Sequence, residues 1–152
     1  MSRPSSEPAQ IPFETTAHVR DHCLCLHAQR AARGLARRFD RALRPLGLTN
    51  GQFSLMMSLN RPQPAAMGAV AALLGLDRTT LTAALKPLER RGLVTSAPHP
   101  TDKRSRLMRL TPQGHALLTE AVPIWRETHR EVDRLLAEHG AGDLRAGLRA
   151  LG

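Results

Sequence analysis

Arg78, Thr79, Thr80, Thr82 and Lys86 bring two cations and three short hydroxyls to one short segment. Groups of this size donate and accept hydrogen bonds at a base edge or a phosphate oxygen, and a helix presents them best from its first turns. A second basic group, Lys103, Arg104 and Arg106, follows in a turn-rich stretch. From Asp77 to Arg109, eight Lys/Arg stand against three acids, so five of the chain's nine net positive charges fall here. Clustered positive charge of this kind is the electrostatic footprint of nucleic-acid binding.

The elements that must hold these groups can be read from spacing. Gly75 suits the left-handed end of one helix. Asp77 can cap the next with its carboxylate. Leu81, Leu85 and Leu88 then recur at helical spacing and give that helix a buried face. Gly92 stops it, and Pro87 inside it is expected to bend it past the base-reading turns. Leu93-Val94-Thr95 and Arg106-Leu107-Met108-Arg109-Leu110 read as two strands. Pro98, Pro100 and Asp102 mark the loop between them, with Lys103, Arg104 and Arg106 expected at its tip. The fold class is therefore mainly α with a small β-hairpin wing. By itself, the helix could equally be an ordinary amphipathic surface helix; the basic hairpin beside it makes the pair a winged helix-turn-helix.

These residues resemble the MarR-type winged-helix regulators. The matching pieces are Leu-Gly-Leu-Asp-Arg-Thr-Thr-Leu-Thr (74–82), Leu-Glu-Arg-Arg-Gly-Leu-Val (88–94), Asp102-x-Arg104 and Leu110-Thr-Pro-x-Gly114, with Thr49-x-x-Gln52-Phe53 upstream. The resemblance covers residues 20 to 150. It implies N- and C-terminal dimerisation helices, a homodimer, and double-stranded DNA with a pseudo-palindromic operator as partner. It also implies that Arg104 enters a minor groove and that Asp102 steadies the wing. A small-molecule effector is a further expected partner, often an aromatic acid bound between the dimerisation helices and the winged lobe. Phe53, Met56, Met57 and Trp125 are candidates for lining such a pocket, or are simple core.

Around this unit the expected divisions are a flexible arm (1–15), an N-terminal dimerisation helix (16–48), the winged lobe (49–112) and C-terminal dimerisation helices (113–152). The arm is rich in proline and serine. One long helix is expected from about Thr16 to Leu46. Leu24, Ala28, Ala31, Leu35, Phe39, Ala42 and Leu46 form its apolar stripe, and Arg30, Arg33, Arg37, Arg41 and Arg44 form a basic one. The basic stripe reads first as a solvated face and second as a contact for phosphate or for an acidic partner helix. Thr49 and Gln52 form a capping box. Met67 to Leu74 is the supporting helix, with Ala66 a poor cap and a start expected to fray. Thr111-Pro112 opens a helix running to about Glu138, kinked at Pro123. Asp143 is expected to cap a last helix with Leu144, Leu148 and Leu151 on one face. Trp125 and Leu135 are candidate members of a core shared by two protomers.

Only two of the 22 basic residues are lysines, and tyrosine is absent. Scarce aromatics argue against a stacking platform for single-stranded nucleic acid. No long apolar run or signal peptide is seen, so a soluble, cytoplasmic protein without a membrane partner is expected. No Gly-rich phosphate loop, nucleophile elbow or HExxH motif argues for an enzyme, and no cofactor or metal is called for. The rival class is a winged-helix protein-interaction module without specific DNA binding.

His18, His22, Cys23, Cys25 and His27 crowd the start of the first helix. If the helix is continuous, Cys23 and Cys25 point about 200° apart and cannot bridge. Three readings stand side by side: packing at a dimer interface, redox sensing by Cys25 with Cys23 and His22, and a metal site on His18, His22 and Cys25. By resemblance, Cys25 falls where the organic-hydroperoxide repressors of the family keep their reactive cysteine. Those proteins hold it with tyrosines, and Gln29 and Phe39 stand at the matching positions here.

Overall fold

The computed structural model describes residues 10–152; most of the proline- and serine-rich arm lies outside them. The chain divides into two compact units, residues 1–35 and 36–152, and the boundary falls inside one helix.

The first unit holds α1 (Phe13–His22) and the first half of α2 (Leu24–Leu43). Two expectations change here. α1 begins at Phe13, inside the segment read as arm, because Pro12 opens the helix and Glu14 places negative charge in its first turn. The long first helix is also broken, at Cys23. That residue leaves helical geometry at φ −73°, ψ 106°, while its N–H still closes α1 on the Val19 carbonyl at 2.9 Å. Its carbonyl accepts the His27 N–H at 3.1 Å, and its Sγ accepts the Leu26 N–H at 3.4 Å. Cys23 thus ends one helix and caps the next, a role sequence reading reserves for Ser, Thr, Asp or Asn. The angular argument that separated Cys23 from Cys25 on a single helix therefore does not hold.

The second unit is a helical lobe with a three-stranded sheet. Phe39 and Leu43 of α2 are buried, and a 3-10 turn (Arg44–Leu46) ends at Gly47 in the left-handed region. α3 (Asn50–Ser58) starts with the expected capping box: Thr49 accepts the Gln52 N–H and Gln52 accepts the Thr49 N–H. Asp40 of α2 adds a third cap, accepting the Asn50 N–H at 2.6 Å.

β1 (Ala65–Ala66), β2 (Val94–Pro98) and β3 (Arg106–Leu110) form an antiparallel sheet in the order β1-β3-β2. β1 was not expected. It pairs Ala65 with Met108 and Ala66 with Leu107, directly before α4 (Met67–Leu74). Ala66 offers no side-chain cap, and the strand pairing holds the start of α4 instead. α4 closes with a Schellman motif: Leu76 N–H reaches the Ala71 carbonyl and Gly75 N–H the Ala72 carbonyl, with Gly75 at φ 64°. α5 (Arg78–Arg90) follows at once.

Leu81, Leu85 and Leu88 of α5 are buried together with Leu43, Leu55, Met56, Val70, Val94, Met108 and Leu118. α5 continues through Pro87, and α6 (Pro112–Leu135) continues through Pro123. Each proline costs its helix one hydrogen bond and leaves it unbroken. After a 3-10 turn, α7 (Ala141–Leu151) is opened by Gly140 at φ 67° rather than by Asp143, which lies in the first turn. Leu135, Leu144, Leu148 and Leu151 are exposed in the single chain.

Candidate nucleic-acid interface

The interface is built on the start of α5. Asp77 accepts the Thr80 N–H at 2.8 Å through one carboxylate oxygen, and the other accepts the Thr80 hydroxyl at 2.8 Å. Those bonds, the backbone one first, hold the Asp77 carboxyl below the usual carboxylate range. A depressed carboxyl stabilises the folded helix start above its unfolded pKa, and that contribution is lost as pH falls through the folded value. Asp77→Ala is therefore expected to lower the thermal midpoint at neutral pH. The gap from wild type should close in melts run below about pH 4; a pH-independent gap would contradict the cap.

Past the cap, Arg78, Thr79, Thr82, Ala83 and Lys86 line a shallow groove of about 310 Å³ on the exposed side of α5. The five candidate side chains are not equivalent. Thr80 spends its hydroxyl proton on Asp77, and Thr82 spends its own on the Arg78 carbonyl at 2.8 Å. Both keep lone pairs as acceptors. Among the described residues, the side chains of Arg78, Thr79 and Lys86 make no hydrogen bond or ion pair and stand free in solvent.

The wing follows α5 and is joined to its end. β2 pairs with β3 from Val94–Leu110 to Pro98–Arg106, so residues 99–105 form the tip. Lys103 and Arg104 sit there, exposed, and the Arg104 N–H is held by Asp102 Oδ1 at 3.0 Å. Arg106, expected at the tip, is on the stem. Its guanidinium turns back to the Ser96 carbonyl at 3.2 Å and the Ser96 hydroxyl at 2.9 Å. Ser96 in turn donates to Glu89 Oε1 at 2.5 Å. The relay Glu89–Ser96–Arg106 thus ties the end of α5 to both wing strands. Arg91 is similarly spent: it donates to the Gly47 carbonyl at 2.6 Å and to the Leu46 carbonyl at 3.2 Å. Sequence reasoning counted both arginines as free positive charge; their partners come from register and loop packing, which it could not see.

A second feature of this unit is a cleft of about 480 Å³ among α3, α4 and α6. Phe53, Met57, Leu73, Leu74, Val122 and Trp125 line it, with Arg126 at its side. Three of the four candidate lining residues are there, while Met56 is fully buried in the core. Phe53 stacks on Trp125 at 6.1 Å between ring centroids. Arg126 was missed; its only sequence signal was its place beside Trp125.

In the first unit, Cys25 is exposed and its Sγ accepts the Gln29 side-chain amide at 3.0 Å. Cys23 is half-buried. His18 and His22 stack at 4.1 Å, and His22 Nδ1 lies 2.9 Å from the His18 carbonyl. No hydrogen bond joins His22 to Cys25 among the described residues. Nor do three His, Cys, Asp or Glu side chains converge there as metal ligands.

Residues 48–105, from the capping box to the wing tip, match the MarR family profile. The Mycobacterium tuberculosis transcriptional regulator MosR, solved in complex with DNA, superposes with a TM-score of 0.75 at 38% identity. That match covers 86% of this chain and 93% of MosR. The chain belongs to the MarR family. The organic hydroperoxide resistance transcriptional regulator of Bacillus subtilis is 31% identical over 66% of this chain and 69% of its own length. The transcriptional repressor NicR of Pseudomonas putida is 29% identical over 67% of this chain, which spans only 60% of NicR. Both winged strands, the helix-turn-helix and its caps thus belong to a family fold. No helix among the described residues is long and apolar enough to cross a membrane.

Proposed function

We propose that this MarR-family chain is a homodimeric, sequence-specific transcriptional regulator, a cytoplasmic repressor that is not an enzyme. The observation that carries this is the exposed edge of α5, where Arg78, Thr79 and Lys86 have no partner among the described residues, followed in the chain by a basic wing tip. Two copies related by a two-fold axis would set their α5 helices into successive major grooves, about 34–36 Å apart, with the wings on the flanking minor grooves. Arg78, Thr79 and Lys86 donate to bases or phosphates; Thr80 and Thr82 serve as acceptors. Lys103 and Arg104 are the wing contacts, with Asp102 shaping the turn. Arg106 acts mainly by fixing the wing through Ser96. Residues 49–112 make the DNA lobe, and residues 16–48 and 113–152 supply the dimer contacts. The exposed leucines of α7 are the kind of surface such an interface covers.

Selection of bound fragments from random duplexes tests this. A palindromic consensus with half-sites one turn apart is the expected result. Equal, loose binding to every duplex, or a protomer that stays single, would instead favour the interaction-module alternative.

Two observations bear on the signal. The cleft beside Phe53 and Trp125 offers an apolar wall and one cation, which suits an aromatic carboxylate. The exposed Cys25, held by Gln29, suits an oxidative signal, with Cys23 and His22 close in sequence. Cys25→Ser is expected to bind DNA normally and to ignore organic hydroperoxide, measured by fluorescence anisotropy on the selected duplex. If wild type is equally indifferent to the oxidant, the redox assignment is wrong.

A further inference from the structure

The wing tip is closed by a histidine. β2 ends at Pro98 and β3 begins at Arg106, so residues 99–105 must turn the chain while satisfying their own backbone. His99 lies between two prolines, and Pro100 contributes no N–H. The His99 N–H donates to the Ser105 carbonyl at 3.1 Å, and the Ser105 N–H to the Asp102 carbonyl at 3.0 Å. The Arg104 N–H goes to the Asp102 carboxylate. Two further donors, the N–H groups of Thr101 and Asp102, both point at His99 Nδ1, at 3.2 Å and 3.1 Å. The Thr101 hydroxyl lies 3.3 Å from the same nitrogen.

A backbone N–H can only donate. Two of them aimed at one ring nitrogen require a lone pair there, which means a neutral imidazole with its proton on Nε2. An imidazolium carries a proton on Nδ1, and both hydrogen bonds become donor-against-donor contacts. We infer that His99 is a positioning residue for the wing: its neutral ring folds the tip that presents Lys103 and Arg104, and protonating it releases that tip. The inference rests on the proposed DNA reading for its consequence, but the folding of the tip does not depend on DNA.

The charged groups around the ring set the competing effects. Asp102, Lys103 and Arg104 share the tip. On β3, Arg106 turns away to Ser96; on α5, Glu89 does the same. β1 has no titratable side chain, and α6 meets β3 at its far end, beside Leu110. Duplex phosphates attract any imidazolium, so general attraction to DNA rises as pH falls. The tip effect has the opposite sign: organised wing binding is present where His99 is neutral and lost as it gains a proton.

The test compares wild type, His99→Asn and His99→Ala at constant ionic strength. An asparagine carbonyl can accept the same two N–H groups and does not titrate; alanine accepts nothing. In the free protein, nitrogen NMR should find the His99 proton on Nε2 at pH 8. The Thr101 and Asp102 amides should be protected at pH 8 and lose protection by pH 5.5 in wild type only. On the selected duplex, wild-type affinity relative to His99→Asn should fall about tenfold between those pH values. His99→Ala should be weaker than wild type at pH 8 and approach it at pH 5.5. A proton on Nδ1 at pH 8, or parallel pH profiles for wild type and His99→Ala, would overturn the inference. Tip amides that behave as expected in a protein that selects no duplex would count against the DNA reading alone and leave the histidine-closed tip standing.

Discussion

Alanine in place of Arg104 is expected to weaken binding to the selected operator by roughly 1–3 kcal/mol for each wing that makes a specific groove contact. Arg104 is suited to that role because nothing among the described residues uses its guanidinium. Only its backbone N–H is held, by Asp102, so the turn is fixed while the side chain stays exposed. A symmetric dimer carries the change twice, at sites far enough apart for the two losses to add. The total is then roughly 2–6 kcal/mol, or between about thirtyfold and more than ten-thousandfold in affinity. Arg106→Ala is the internal comparison. That guanidinium is already on Ser96, so its loss should loosen the wing and cost less. Titrations at several salt concentrations separate the mechanisms. If Arg104 reads a groove, its removal narrows the ratio of specific to non-specific affinity. If it only meets a phosphate, its removal lowers both together and reduces the salt slope by about one per site. Unchanged affinity at fixed salt would remove Arg104 from the interface.

The contrast between Arg104 and Arg106 also marks what a sequence discloses. Features closed within a few residues were readable. Asp77 and Thr80, Thr49 and Gln52, and Thr111 with Gly114 are caps spanning three positions, and their chemistry does not depend on the rest of the fold. The leucine spacing of α5 was readable for the same reason. Part of what failed needed partners brought from a distance, and part was local, as where Asp143 lies in the first turn of α7 rather than at its cap. Two alanines carry no strand signal, and Ala65–Ala66 becomes β1 only because Met108 and Leu107 lie beside them. Ser96 meets Arg106 only in this register of β2 on β3. His99 reads as one more polar loop residue until the turn folds its neighbours' N–H groups onto the ring. The break at Cys23 has no glycine or proline to announce it; a thiol takes the cap, and sulfur is a weak acceptor. The places of these side chains, at the start of α5 and around the wing, were therefore legible, while the hydrogen bonds that set Arg106 apart from Arg104 were not.

Gly114→Ala is expected to be the most damaging single methyl at the junction of α6 with the wing. α6 starts against Leu93, just before β2, with almost no clearance: a Cβ at Gly114 would overlap the Leu93 carbonyl oxygen and crowd Leu110. That carbonyl accepts the Thr111 N–H at 3.1 Å, and the Thr111 hydroxyl donates to the Gly92 carbonyl at 2.6 Å while accepting the Gly114 N–H. One junction therefore holds α6, the end of α5 and the base of the wing. A side chain could turn aside; a backbone oxygen already in a hydrogen bond cannot, so α6 must shift and the cap opens. The cost should exceed the roughly 1–3 kcal/mol usual for overpacking, because broken hydrogen bonds add to the strain. In a chain of this size that lowers the thermal midpoint by several degrees or more, at about 2–4 °C per kcal/mol. Gly51→Ala is the control, since a Cβ there comes no nearer than 4.0 Å to Thr49 Oγ1 and its helix should gain slightly. Both are measured at one protein concentration, because the proposed dimer would make the midpoint concentration-dependent. Equal midpoints for Gly114→Ala and wild type would mean that α6 is not seated on Leu93, and the wing would then lack the support assigned to it.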